Sequence, residues 1–198
     1  YSRYYQSAVY AGNFLYVLVG CWFLFLLLNR LEQWSDRLAF AAVVLGTQVP
    51  DLLFPPYLMA HGIAFAAAAA FFYYCLKDKS PWKAALAAGV MVLVRWQTAT
   101  FLPVILVPTF LAWVHARRSG DRGLPLLRQG ARIALIAACV VVLLFLPQLF
   151  AWHSIYGQIV IVPQGDSFLS PLNPQLWRIL FDREHGLFLW HPVFAAGT

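Results

Sequence analysis

Eighteen consecutive residues, Ile133 to Phe150, carry no charge at all. Wound as an α-helix, such a run is about 27 Å long, close to the ~30 Å of bilayer hydrocarbon. It does not stand alone. Seven apolar stretches divide the 198 residues: Ala8–Leu28, Leu38–Phe54, Tyr57–Leu76, Ala84–Val94, Thr98–His115, Ile133–Phe150 and an incomplete one from Leu187. Only 11% of the chain is charged while 62% is hydrophobic. Soluble domains carry about 25% charged residues, so too little polar surface is present to face water. A soluble enzyme is excluded, and disorder is excluded by the same composition. The expected fold class is all-α: a polytopic transmembrane helical bundle with one short outer-surface helix.

The stretches are unequal. The first, third, fifth and sixth approach the length of a span, the second is interrupted by Pro50-Asp51, and the fourth is short. About six spans and the start of a seventh are expected, in a single transmembrane domain over 1–198. The chain begins at Tyr1 rather than Met and stops at Thr198 within an apolar run. It is therefore expected to be an internal piece of a longer protein.

Basic residues set the expected sidedness. Loops 29–37, 77–83 and 116–132 hold ten of the 14 Lys and Arg, whereas the acidic residues divide evenly between the two sides. An excess of Lys and Arg marks cytoplasmic loops, so these three loops are expected to be cytoplasmic. Residues 1–7, 50–56, 95–97 and 151–186 then face the other side. The same assignment makes 84–94 and 98–115 two short spans or a re-entrant pair meeting near Arg95. It also accounts for the net charge of +6 without nucleic acid, which is not an expected partner.

The long outer segment 151–186 opens with Trp152, His153, Tyr156 and Gln158, and then turns at Pro163-Gln164-Gly165-Asp166. Asn173-Pro174 is a helix-start signal. It predicts a short helix over 174–181, with Leu176, Trp177, Ile179 and Leu180 grouped for the membrane surface.

No phosphate-binding glycine loop, metal-ligand spacing or nucleophile elbow is present, so neither metal nor cofactor is expected. The three cysteines lie in apolar runs and are expected to be buried small hydrophobes. Outside the cytoplasmic loops, the ionisable side chains gather on the outer side: Asp51, Arg95, Asp166, Asp182, Arg183, Glu184 and His185, with His61 about one turn inside its helix. The spans carry almost no charge. Transporters usually place ionisable groups at mid-membrane, so an outer-interface site is favoured over a conduction path. Each residue keeps two readings. Arg95 either snorkels to headgroups or holds a phosphate through its planar fork. Asp51 can simply end a helix, His61 can be a packed polar residue, and Asp182 to His185 can be a solvated charge cluster.

The strings Val162-Pro163-Gln164-Gly165-Asp166-Ser167-Phe168-Leu169, Leu180-Phe181 and His185-Gly186-Leu187-Phe188, with Trp190 and Pro192, resemble bacterial GT-C-type membrane glycosyltransferases of the protein-mannosyltransferase-like group. Leu93-Val94-Arg95-Trp96-Gln97 and Ala60-His61-Gly62-Ile63-Ala64-Phe65 are similar to segments of the same group. The likeness covers most of the chain loosely and only these strings specifically. It implies a multi-span enzyme of a bacterial-type plasma membrane. Such an enzyme moves a sugar from a polyprenyl-phosphate donor to an acceptor on the non-cytoplasmic face. It also implies substrate-binding roles for Arg95, Asp182, Arg183 and His185. The family's catalytic carboxylate lies in a first outer loop that no residue here matches, so the catalytic residue is unknown. Relatives often carry arginine directly before the His-Gly pair, where this chain has Glu184. A lipid or solute transporter and a non-catalytic membrane scaffold remain the alternatives.

Overall fold

The computed structural model describes residues 3–28, 37, 41, 44, 61–120, 123–161, 176–183 and 186–190. Every regular element among them is helical. In chain order these are α1 (Arg3–Leu27), α2 (His61–Leu76), α3 (Pro81–Val94), a 3₁₀ segment (Trp96–Leu106), α4 (Val107–Arg118), α5 (Leu124–Tyr156), α6 (Leu176–Phe181) and α7 (Leu187–Trp190). The all-α expectation holds. Three helical stretches are long and apolar enough to cross a bilayer: Gln6–Leu27, Trp96–Arg118 and Leu124–Tyr156. The chain is an integral membrane protein by these features.

The chain forms two compact units, one of residues 1–29 and 52–148, the other of 30–51 and 149–198. In the first, α2 packs against α1 on one side and α3 on another, and the 3₁₀ segment lies against α3. Composition explains why α2 is central. Its Gly62, Ala64, Ala66, Ala67, Ala69 and Ala70 are all buried, and side chains this small let neighbouring backbones approach closely. The α3 face made by Ala84, Ala85, Ala88 and Met91 is completely buried. It joins Phe71 and Cys75 of α2, Ile105, and Ile133 and Ala137 of α5 in one core cluster. Outward, α1 exposes Phe14, Leu15, Leu18 and Trp22, and α5 exposes Leu135, Val142 and Leu143. Apolar surface this extensive suits lipid rather than water.

Four residues reverse the chain between α2 and α3. The Tyr73 carbonyl accepts the Lys77 and Asp78 amides, and the Tyr74 carbonyl accepts the Ser80 amide at 3.0 Å. Lys79 adopts φ 53° to make the turn. Pro81 then starts α3, where its missing N–H costs no intrahelical bond. Lys83 closes the corner with an ion pair to Asp78 at 3.0 Å.

Four expectations change. The stretch expected from Thr98 begins instead at Trp96, and it is 3₁₀ over eleven residues before becoming α. Pro103 lies within it, and in α geometry a proline ring collides with the carbonyl four residues earlier. At about 2.0 Å per residue the tighter winding also covers more distance. Residues 124–132, expected in a loop, are the first turns of α5, so Arg128 and Arg132 are helical. Trp152, His153 and Tyr156, expected at the start of the outer segment, are its last turns. That helix ends only at Gly157, whose φ of +70° and N–H to the His153 carbonyl form a left-handed cap. Cys139 is also exposed rather than buried, whereas Cys75 is buried as expected.

Candidate functional site

A short reversal between two helices forces them antiparallel, so the start of α2 and the end of α3 lie at the same end of the hairpin. His61 is the first residue of α2, and Arg95 follows the last residue of α3. Their side chains meet: Arg95 Nη1 lies 2.7 Å from His61 Nδ1. A guanidinium can only donate, so His61 Nδ1 must be the acceptor. The imidazole is therefore neutral and carries its proton on Nε2.

The backbone at Arg95 is extended (φ −145°, ψ 98°), which breaks the helix between Val94 and Trp96. Its N–H still donates to the Met91 carbonyl at 3.0 Å. Thr98 pins the break from the other side. Its amide donates to the Arg95 carbonyl at 2.9 Å. Its hydroxyl donates to the same carbonyl at 2.6 Å and lies 3.0 Å from that of Met91. The guanidinium thus projects from a corner whose carbonyls are satisfied internally.

The support beneath His61 is close packing on α1. Any Cβ at Gly62 would collide with the amide oxygen of Asn13, and Asn13 is the one buried polar residue in the described core. Seven residues further along α1, a Cβ at Gly20 would strike the Phe65 ring and come within 3.2 Å of the Ala66 Cα. These two contacts set the register of α2 on α1 and hence the height of His61.

Charge at the site is one-sided. Among the described residues, no carboxylate lies within ion-pair reach of Arg95, and no group of His, Cys, Asp and Glu can hold a metal ion. The neighbouring Trp96 adds a buried indole N–H that has no acceptor there. A half-buried cation beside a neutral histidine is an arrangement that favours an anion.

The other site residues expected from the sequence fall in the second unit or outside the described residues. Asp182 and Arg183 belong to the second unit, just after α6. The Asp182 amide donates to the Arg178 carbonyl at 3.0 Å, and its carbonyl accepts the Gly186 amide at 2.8 Å. His185, Glu184, Asp51 and Asp166 lie outside the described residues. The helix expected over 174–181 is present as Leu176–Phe181. Trp177 packs on Phe181 with ring centroids 4.4 Å apart, and Phe181 packs on Phe188 at 5.4 Å.

The sequence places His61 on the same outer side as Arg95, with a packed polar residue as its alternative, but does not pair the two side chains. The available signal was the turn at 77–80, since any tight hairpin there brings residues 61 and 95 to the same end. Compared with protein families, curated proteins and solved structures, the sequence has no match.

Proposed function

We propose that the chain is part of a polytopic membrane glycosyltransferase that takes a sugar from a polyprenyl-phosphate donor, with Arg95 receiving the lipid phosphate. The observation that carries this reading is a guanidinium held at a helix break by a neutral histidine, with no carboxylate to neutralise it among the described residues. Length supports it as well. The 14 residues of α3 rise only about 21 Å, less than the hydrocarbon thickness of ~30 Å. If α3 begins at one interface, Arg95 stops short of the opposite one. A charge at that depth is costly without a counter-ion, and a phosphate whose prenyl tail lies in the bilayer supplies one.

In this scheme the acceptor hydroxyl displaces the lipid phosphate from the sugar with inversion. The developing negative charge on the leaving phosphate is stabilised by the preset guanidinium. His61 occupies one N–H of Arg95 and leaves the others to form a fork on phosphate oxygens. The residue that activates the acceptor is not identified. Asp182, Arg183 and His185 remain proposed contributors to the outer pocket.

The test is donor binding and sugar transfer by the intact protein in nanodiscs. A charge-assisted hydrogen bond contributes about 1.5–3 kcal/mol, so Arg95→Gln should weaken donor binding or turnover roughly ten- to a hundred-fold. Arg95→Lys should recover only part, because an ammonium lacks the planar fork. Unchanged binding and transfer in Arg95→Gln would leave Arg95 as a snorkelling residue and remove the donor site.

A further inference from the structure

We propose a second site in the first unit, at the opposite end of the α2–α3 hairpin, that binds the headgroup of an anionic phospholipid. It rests on the bilayer environment of the helices and not on the glycosyltransferase reading. Two adjoining cavities carry it. One, of about 400 Å³, is lined by Pro81, Pro125, Arg128, Gln129, Arg132 and Ile136. The other, of about 260 Å³, includes Tyr74, Lys79 and Thr109. Pro81, Gln129 and Ile133 line both, so the two form one cleft between the start of α3 and the first turns of α5.

Among the described residues, the cations lining this cleft have no carboxylate counter-ion. Arg128 and Arg132 stand one helical turn apart, so both guanidinium groups reach the same space and repel each other when it is empty. Among the described residues, the acid of this region is Asp78, and Lys83 already holds it at 3.0 Å. Lys79 enters the cleft from a left-handed backbone position, φ 53°, where glycine or asparagine is the less strained choice. Gln129, Tyr74 and Thr109 add neutral hydrogen-bonding groups. Below them, Ile133 and Ile136 line the cleft, and α5 continues with exposed Leu135, Val142 and Leu143.

That gradient along one helix, basic at the end and apolar beneath, matches a phospholipid lying beside it. The phosphate meets Arg128 and Arg132, and the acyl chains follow the hydrocarbon face. Basic pockets between membrane helices bind anionic headgroups on this principle. A soluble phosphate would satisfy the charges but leave the apolar part of the cleft unused, which favours the lipid.

The experiment is native mass spectrometry of the full chain in neutral detergent, titrated with phosphatidylglycerol or phosphatidylcholine. Phosphatidylglycerol should be retained and phosphatidylcholine should not, and millimolar inorganic phosphate should fail to displace the bound lipid. The double variant Arg128→Gln/Arg132→Gln should weaken retention about thirty-fold, from two basic side chains at a membrane surface. Arg117→Gln/Arg118→Gln removes equal charge outside the cleft and should change it little. Equal loss in both double variants, equal retention of the two lipids, or displacement by phosphate would overturn the proposal. Should the variants misfold, a photoreactive phosphatidylglycerol on the unmodified protein decides. Cross-links should map to residues 77–84 and 124–136, and their absence there would also overturn it.

Discussion

Replacing Gly20 by alanine tests the packing that sets the height of His61, and Gly12 on the same helix supplies its control. A Cβ built at Gly12 meets nothing within 4 Å. There the substitution gains only helix propensity, about 1 kcal/mol of stability. At Gly20 the same Cβ meets two carbons of the Phe65 ring and the Ala66 Cα at 3.2 Å. A ring edge in contact with a helix cannot rotate away as a leucine tip can, so α1 and α2 must separate. Overpacking of this kind costs about 1–3 kcal/mol, which cancels or exceeds the propensity gain. Gly20→Ala should therefore be less stable than Gly12→Ala by about 1–3 kcal/mol. Reversible unfolding in mixed micelles, followed by circular dichroism, reads the difference directly. Adding Phe65→Leu to Gly20→Ala should recover part of the loss, because the shorter side chain can vacate the space. The recovery measures coupling between the two positions. If Gly20→Ala unfolds at or above the midpoint of Gly12→Ala, the close α1–α2 contact is not what holds His61 in place.

Nitrogen chemical shifts of labelled histidine should show His61 neutral with its proton on Nε2 at pH 7. A proton on Nδ1 would contradict donation from Arg95. Thr98→Val keeps the side-chain shape but deletes the hydroxyl that donates to the Arg95 carbonyl. It should cost about 1–2 kcal/mol in the same unfolding measurement, and no cost would mean the break at Arg95 holds without it. Single cysteines can be placed at Ser119, before the 33-residue α5, and at Ser154, in its last turn, and the helix is about 50 Å long. An impermeant thiol reagent should reach them from opposite sides of the membrane, and labelling of both from one side would refute a spanning α5. With the other tryptophans replaced, exposed Trp177 should be quenched more by shallow than by deep lipid quenchers. Quenching by aqueous iodide alone would place α6 away from the bilayer.

Much of the architecture was legible in local pattern. Hydropathy is a property of consecutive residues, so the apolar runs marked α1, α2, α3 and α5 before any contact was known. The missing charge in 133–150 located the core of α5, and Arg95 stood out as the only basic residue between two short apolar runs. The ends of α5 were misplaced because hydropathy marks where a helix can meet lipid, not where it stops. Arg128 and Arg132 are good helix formers, and the helix continued through them. At the other end the stop is Gly157, whose positive φ closes the last turn.

Pairing needed the third dimension. His61 and Arg95 are 34 positions apart, and neither side chain announces the other. They meet because the reversal at 77–80 brings both helix ends together, and because Gly20 and Gly62 let α2 settle against α1 at one height. The same holds for the 3₁₀ winding around Pro103, where a proline could as easily have ended the helix. The sequence by itself determined which segments belong in lipid, since burial of apolar side chains sums over neighbours along the chain. Only the tertiary structure decided which polar groups face each other, since that depends on turns and close contacts between residues distant in sequence.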